Sequence, residues 1–347
     1  MKKSLLVLFS FFACTTVAAQ TTRNGFELIS RPAQKQIDIL YNGQLLTAYC
    51  YTDSIAKPFL YPVNTLGGIT VTRGFPVKPI PGESTDHPHH VGIWMNYESV
   101  NGIDFWNNSS AIAAAKKEHY GTIVHQKILN QSASGRKATL GVTATWVNQA
   151  QETFLNEHTT YFFEIKDNRF YITRKTTLTA LRNPVVFKDV KDGFFAIRLA
   201  KELEMPSATS KSFTDDKGNI TTVPAPGTGV PTGMYYASNG KTGDAVWSSQ
   251  GTWAMLKGKK DGASVTIAMF DHPSNTGYPT YWHARGYGLF ALNPLGRAVF
   301  SNGRDSLNLV LQPGRSQTFT YRIVIAQQDL TIPEAAAMDA AFKQSRY

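Results

Sequence analysis

The chain has 347 residues, with 35 Lys and Arg against 25 Asp and Glu, and a formal net charge of +10 at pH 7. The basic residues are scattered, which argues against a nucleic-acid-binding surface and leaves a solvated basic surface or an affinity for acidic partners such as a polyanionic glycan. No stretch approaches the roughly 20 consecutive apolar residues of a membrane-spanning helix. No obligate protein partner is indicated.

The N-terminal segment has the organisation of a signal peptide. Residues 1–19 combine a basic start, an apolar run from Leu5 to Ala13 and small residues before the expected cleavage point. We therefore predict export to the periplasm or the extracellular space, with residues 20–347 forming a single β-sandwich domain. The alternative is a lipoprotein signal, in which Cys14 is acylated and anchors the protein to a membrane. Cleavage leaves Cys50 as the sole thiol, so no intramolecular disulfide is expected.

Apolar residues alternate with polar ones along much of the chain, which is typical of half-buried strands. In one such stretch, alternate residues from Ala138 to Trp146 are apolar and are expected to face the core. The predicted strands are Gln36 to Tyr41, Gln44 to Tyr51, Ala138 to Val147, Thr159 to Ile165, Phe170 to Thr177, Ser264 to Phe270, Leu307 to Leu311 and Thr318 to Ala326.

Turn signals predict antiparallel connections. Asn42-Gly43, Asp167-Asn168 and Pro313-Gly314 each have the residue types that favour a tight hairpin turn. Helical patterns are confined to Ile112 to His119 and Pro333 to Lys343, and both are expected to be peripheral. The predicted fold class is therefore all-β, a large antiparallel β-sandwich with a few peripheral helices.

A histidine cluster lies in the densest polar stretch of the chain, Gly82 to His90. In Asp86-His87-Pro88-His89-His90, three of the eight histidines of the chain fall within four positions. Neutral imidazole is both a good metal ligand and a good proton carrier. In an extended segment His87 and His89 project to the same side and could hold a divalent metal. The alternative is that these histidines cap turns around Pro88.

The Asp-His-Pro triplet recurs at Asp271-His272-Pro273, and Tyr281-Trp282-His283 follows shortly after it. If the two triplets meet in the fold, four histidines would converge as metal ligands: His87, His89, His272 and His283. In that site His89 and His283 would transfer protons, and Asp86 and Asp271 would orient the imidazoles. The alternative is that Asp-His-Pro is a rigid turn used twice.

Aromatic rings flank these polar clusters, as they do in sugar-binding sites, where rings stack on the sugar and polar groups bond its hydroxyls. Core packing is the alternative for each ring. The predicted substrate-binding residues are Arg73, Glu83, Trp94, Asp104, Trp106, Tyr281, Trp282 and Arg285. A Walker A loop, a dinucleotide fingerprint after a strand and a Gly-x-Ser-x-Gly elbow are absent from the sequence, which argues against nucleotide and serine-hydrolase chemistry.

Several segments together resemble a known family. They are Lys57-Pro58-Phe59-Leu60-Tyr61-Pro62-Val63, Val71-Thr72-Arg73-Gly74-Phe75-Pro76, the first histidine cluster, Val100-Asn101-Gly102-Ile103-Asp104-Phe105-Trp106, and the stretch from Phe270 to Pro294. The chain resembles the PmoA-like family of exported bacterial proteins, labelled after a methane oxygenase subunit and similar in architecture to galactose-mutarotase-like sandwiches. Arg often follows the histidine cluster in that family, whereas this chain has Val91.

The resemblance implies a protein that acts on carbohydrates, because members of that family tend to come from bacteria that degrade polysaccharides. We predict a secreted carbohydrate-active enzyme that uses His/Asp general acid/base catalysis, as a hydrolase, lyase or epimerase, with a divalent metal as an open alternative. The other two hypotheses are a non-catalytic glycan-binding protein and, from the family label, a metal-dependent oxygenase.

Overall fold

The computed structural model describes residues 24–214, 220–225 and 230–347. The predicted signal peptide and Cys14 therefore lie outside the described residues. In the described part of the chain, no helix is long and apolar enough to cross a membrane.

The described residues form twenty strands, which alternate with short turns and loops. The strands are β1 (Phe26–Arg31), β2 (Gln36–Tyr41), β3 (Gln44–Cys50), β4 (Phe59–Val63), β5 (Ile93–Tyr97), β6 (Thr122–Ser134), β7 (Lys137–Val147), β8 (Thr153–Lys166), β9 (Arg169–Ala180), β10 (Val185–Phe187), β11 (Gly193–Arg198), β12 (Lys211–Thr214), β13 (Ile220–Val223), β14 (Met234–Ala237), β15 (Trp253–Lys260), β16 (Ala263–Asp271), β17 (Tyr281–Ala284), β18 (Leu289–Asn293), β19 (Leu309–Leu311) and β20 (Ser316–Ala326).

Two eight-stranded antiparallel sheets dominate the fold. Sheet 1 has the order β1-β2-β3-β4-β5-β11-β18-β17, and sheet 2 has the order β14-β15-β16-β20-β9-β8-β7-β6. One large cluster of buried apolar side chains takes residues from both sheets and forms the core between them. The all-β sandwich prediction is confirmed. A core of this extent stabilises the fold without a disulfide, and Cys50 is a buried free thiol.

Strand alternation predicted the buried faces well. In β7 the five apolar residues at alternate positions from Ala138 to Trp146 are at most 4% exposed, and all belong to the core. Asn42-Gly43 joins β2 to β3 and Asp167-Asn168 joins β8 to β9, with positive φ at all four residues, as tight hairpins require.

The third predicted hairpin is wrong. Pro313-Gly314 lies between β19 and β20, but β19 pairs with β10, and β20 pairs with β16 and β9. The turn is real, since Gly314 has a φ of +73°, but the two strands diverge into different sheets. Local turn chemistry did not reveal these distant partners.

Both predicted helices are peripheral. The first is a 3-10 helix over Ala114–His119, and the described residues also form 3-10 turns at Pro32–Gln34, Lys201–Leu203 and Gly243–Val246. The second is α2 (Ile332–Lys343), which follows the short α1 (Arg297–Phe300). Thr331 and Glu334 form a capping box at the start of α2. Its apolar residues, including Phe342, pack on the outer face of sheet 2.

Candidate functional site

The outer face of sheet 1 carries the site. Trp94 on β5 lies opposite Ala196 on β11, Ala196 opposite Ala291 on β18, and Ala291 opposite His283 on β17. Residues directly opposite one another across antiparallel strands project to the same face. Trp94, Ala196 and Ala291 belong to an apolar cluster separate from the core between the sheets. Two alanines therefore separate a tryptophan from a histidine on this face, and both are fully buried.

The segment from Arg73 to Gly92 covers part of this face and carries the first histidine cluster. Arg73 is buried and binds the segment from within: its Nη1 donates to the carbonyl oxygens of Ser84 (3.2 Å) and Asp86 (2.8 Å). Its Nη2 donates to the carbonyl oxygens of His87 (3.0 Å) and His90 (3.3 Å). Arg73 therefore holds oxygen atoms, but they belong to its own chain and not to a substrate.

A second buried arginine, Arg198, neutralises Asp86. Its Nη1 lies 3.0 Å from Oδ1 of Asp86 and its Nη2 lies 3.2 Å from Oδ2, a bidentate geometry. Nδ1 of His87 lies 2.5 Å from the same Oδ1. Burial alone would raise the pKa of Asp86, but Arg198 and the bond to His87 outweigh it and hold that pKa well below its ordinary value. Asp86 is therefore an anion at neutral pH, and its carboxylate contacts the ring of His87.

The three histidines pack against one another. The rings of His87 and His90 are parallel, with centroids 4.7 Å apart, and His87 also stacks on Tyr287. His90 stacks in turn on Trp94. Nη1 of Arg198 lies 3.2 Å from Nδ1 of His90; because the guanidinium can only donate, this nitrogen accepts. Burial is the main cause that lowers the pKa of all three imidazoles, so they are neutral near pH 7.

His89 differs from its neighbours because it reaches a cleft. Its ring makes edge contacts with His87 and His90. Its Nε2 is buried and has no hydrogen-bond partner among the described residues. Lys57, Arg73 and Arg198 add to burial in lowering the pKa of His89. A neutral imidazole with an unsatisfied nitrogen at a cleft can accept or donate a proton.

The cleft has a volume of about 620 Å³, within the range of small-molecule sites. Ala48 and Cys50 of β3 and Phe59 and Tyr61 of β4 contribute to its floor, and all four belong to the apolar cluster on the outer face of sheet 1. Its walls come from four stretches: residues 76–78, residues 88–89, residues 108–110, and Thr52 with residues 54–56. The lining thus combines two aromatic rings with hydroxyl, amide and imidazole groups.

Lys57 lies in the protein interior close to this site. It is 1% exposed, its Nζ lies 5.7 Å from the ring centre of Trp94, and it lies 3.4 Å from the carbonyl oxygen of Trp106. Burial lowers the pKa of Lys57 to about 7, against the attraction of Asp104. Trp94 and Trp106 are at most 1% exposed and pack against each other. Both rings are therefore buried, and neither is open for stacking on a ligand.

His283 lies on the same sheet face but outside the cleft. Its Nδ1 lies 3.8 Å from Oδ1 of Asp192 and forms no hydrogen bond to any described residue. Burial, with Arg285, Lys191 and His87 as lesser causes, lowers the pKa of His283 well below its ordinary value. Because the charge of His87 affects the pKa of His283, the two imidazoles lie close enough to interact electrostatically.

The second Asp-His-Pro triplet does not join the first. Asp271, at the end of β16 in sheet 2, accepts hydrogen bonds from Nδ2 of Asn275 (2.7 Å) and the backbone N–H of Thr280 (2.9 Å), so it organises the 272–280 turn. Burial raises the pKa of Asp271 to about 7. His272 contacts Ser274, Phe342 and the carbonyl oxygen of Ser345, next to α2.

The predicted convergence of His87, His89, His272 and His283 is therefore not observed. His272 lies by α2, which packs on the outer face of sheet 2, and the other three lie on the outer face of sheet 1. Within the described ranges, no group of three or more His, Cys, Asp or Glu side chains is arranged to hold a metal ion. The four-histidine metal site is thus not formed, and Asp271 has the turn-forming role that was the alternative.

The remaining predicted binding residues pack in the core or hold turns. Trp282 belongs to the core between the sheets and Tyr281 stacks on Phe300. Asp104 accepts hydrogen bonds from the backbone and side-chain nitrogens of Asn107, 2.9 and 3.0 Å away, which closes a turn. Glu83 accepts from the backbone N–H of Gly74, and the Arg285 guanidinium lies 4.2 Å from the ring centre of Trp247. None of these five lines the cleft.

Residues 36–340 match a family of unknown function, DUF6807. The chain belongs to this family. No curated protein matches its sequence.

This DUF6807 chain is similar to solved structures of carbohydrate enzymes. The GH36 α-galactosidase AgaB from Geobacillus stearothermophilus is 12% identical, with 87% of this chain and 41% of that chain covered and a TM-score of 0.36. The galactosidase domain of the α-galactosidase-sucrose kinase AgaSK is also 12% identical, with 87% of this chain and 42% of that chain covered and a TM-score of 0.39. A galactose mutarotase related enzyme from Lactobacillus acidophilus is 9% identical, with 88% of this chain and 98% of that chain covered and a TM-score of 0.31.

The chain spans about two fifths of the length of the two galactosidases. Identities and TM-scores this low do not assign an activity to the DUF6807 chain.

Two residues of the DUF6807 site were missed by the sequence reasoning. Arg198 ends the apolar strand Gly193–Arg198, and a charge at the end of such a buried run was the available signal. Glu204 lies 3.8 Å from Nη2 of Arg198 and is 3% exposed. Burial raises the pKa of Glu204 to about 7 although Arg198 opposes this, so Arg198 lies between one ionised and one partly neutral carboxyl group.

Proposed function

We propose that this chain is an exported carbohydrate-active enzyme that binds a glycan in the cleft over β3 and β4 and transfers a proton through the imidazole of His89. The observation that carries the proposal is the position of His89: its Nε2 is buried, unsatisfied by the described residues, and belongs to a side chain that lines the cleft. An unsatisfied buried polar atom is costly, which favours a site that a ligand completes.

The cleft lining supports a sugar as the ligand. Tyr61 contributes an aromatic ring to the lining, and Ser109 and Ser110 offer hydroxyl groups on one wall. Sugars present an apolar ring face together with a rim of hydroxyl groups, so this combination suits them.

Proton transfer by His89 is supported by its uncharged state. Burial, followed by His87, Lys57, Arg73 and Arg198, lowers the pKa of His89, so at neutral pH the imidazole is unprotonated and can take up a proton from a bound hydroxyl or ring carbon in the transition state. Asp86 and Arg198 hold the neighbouring His87 in place, and Arg73 holds the backbone on either side of His89. A rigid support of this kind keeps a proton-transfer group in register with its substrate.

Turnover and binding of a sugar panel test the proposal. Purified protein is mixed with xylo-, cello-, manno- and galacto-oligosaccharides, binding is measured by calorimetry, and products are followed by NMR. His89→Gln should lower turnover by about 10²-fold or more, whereas His158→Gln, at an exposed position on sheet 2, should change it less than twofold. Equal turnover by wild type and His89→Gln would place the chemistry elsewhere.

The main alternative is a glycan-binding protein without chemistry. Its supporting observation is that His87 and His90 stack on each other and on Tyr287 and Trp94, as packing groups do. In that case sugars bind with no product formed. The oxygenase that the PmoA-like resemblance implies ranks below both, and export rests on the N-terminal sequence; secretion of a reporter fused to residues 1–19 would test it.

A further inference from the structure

A second hollow adjoins the cleft and has ring and polar groups of its own. It has a volume of about 350 Å³, and its lining includes Tyr51, Lys57 and His125. Thr52 and Ile55 line both hollows, so the two meet across the partly exposed segment of residues 52–56. The proposed function does not use this second hollow.

Tyr51 and His125 form a closely packed pair of rings in the second hollow. Their ring centroids are 4.2 Å apart with planes tilted by 34°, and both side chains are partly exposed. The hydroxyl group of Tyr49, itself buried, lies 3.1 Å from Nδ1 of His125 and fixes the imidazole from below. Burial lowers the pKa of His125, which favours an uncharged ring pair. Lys35 and Asp53 form an ion pair and also line this hollow.

The backbone fixes the two hollows relative to each other. The N–H of Tyr51 donates to the carbonyl oxygen of Lys35 (2.9 Å) at one end of the shared segment. The N–H of Ile123 on β6 donates to the carbonyl oxygen of Ala56 (2.9 Å) at its other end. Both contacts tie the segment to neighbouring elements, so a ligand that crosses it would meet a preformed surface.

We infer that the two hollows are successive subsites of one groove and that the ligand is an oligosaccharide chain, with one part beside His89 and a more distant unit against Tyr51 and His125. This inference rests on the proposed function. Each hollow lies within the size range of a small-molecule site, and the lining of each combines an aromatic side chain with hydroxyl or charged groups. A single sugar would fill one hollow and leave the other unused.

Affinity as a function of chain length tests the inference. The probes are xylo-, cello-, manno- and galacto-oligosaccharides of two to six units, with dissociation constants measured by calorimetry on the full chain. For the series that binds, the six-unit sugar should bind wild-type protein at least about tenfold more tightly than the two-unit sugar. Tyr51→Ala should abolish that advantage, and Tyr51→Phe, which keeps the ring, should restore it. Tyr236→Ala, on β14 of sheet 2, serves as the control and should retain the full advantage.

The outcomes separate the two proposals. If sugars bind with an affinity that does not depend on length, or if Tyr51→Ala keeps the length advantage, the second subsite is wrong and the proposed function stands. If none of the four series binds to wild-type protein, both the proposed function and the subsite are overturned.

Discussion

Arg198 and Asp86 form a bidentate ion pair, with N–O distances of 3.0 and 3.2 Å, in which both side chains are at most 2% exposed. Arg198 belongs to β11 and Asp86 to the segment that carries the histidines, 112 residues earlier. The pair therefore attaches that segment to sheet 1 and sets the position of His87.

Loss of the Asp86 carboxylate should destabilise the fold strongly. Asp86→Asn removes the ionised partner of the buried Arg198 and leaves it with the partly neutral Glu204, 3.8 Å from its Nη2. Breaking one side of a buried ion pair costs about 3–5 kcal/mol. Asp53→Asn, in the exposed pair with Lys35, is the control and should change the free energy of unfolding by less than about 1 kcal/mol. Urea denaturation at pH 7 measures both. A similar small effect for the two variants would show that the buried pair does not hold the segment.

The buried imidazole of His89 should make stability fall with acid. Its folded-state pKa lies well below the ordinary value of about 6.5, so below that pH the unfolded chain binds a proton that the folded chain does not. Wild-type stability then decreases as pH falls, by up to about 1.4 kcal/mol per pH unit for this one group. His89→Gln should remove that share of the slope below pH 6.5. A pH dependence of stability that is the same in wild type and in His89→Gln would refute a buried neutral His89.

Replacement of Lys57 by methionine should stabilise the protein most at low pH. The pKa of Lys57 is lowered to about 7, so between pH 7 and roughly 10.4 the unfolded chain binds one more proton than the folded chain. The cost of burying the ammonium is therefore complete below pH 7 and disappears toward pH 10. The gain of Lys57→Met over wild type, measured by denaturation, should shrink across that range. A gain for Lys57→Met that does not change with pH would contradict a lowered pKa of Lys57.

Arg73 should control the mobility of the histidine segment. Arg73→Lys loses the planar fork that reaches four carbonyl oxygens between Ser84 and His90. The amide of His90, which donates to the carbonyl oxygen of His87, should then exchange with deuterium at least about tenfold faster. Arg136→Lys, at an exposed turn, should leave that rate unchanged. Unchanged exchange in Arg73→Lys would mean that other contacts hold the segment.

Local patterns predicted the strands and two hairpins because alternation and turn residues act over a few positions. Pro313-Gly314 failed because β19 and β20 take partners far away in sequence. The first histidine cluster was found because its members are consecutive. The ion pair between Arg198 and Asp86 of this cluster was missed because Arg198 lies on a strand far away in sequence. The second Asp-His-Pro triplet was misread because the same three residues serve a purely local turn around Asp271.

The most direct measurement of the central claim is a ring-nitrogen NMR spectrum of histidine-labelled protein, with and without the oligosaccharide that binds most tightly. His89 should be neutral at pH 6.5, where an unperturbed imidazole is half protonated. Its Nε2 resonance should shift on ligand addition while that of His158 does not. A half-protonated His89 at pH 6.5, or an Nε2 resonance that is unmoved at saturating sugar, would contradict the proposed role of this imidazole.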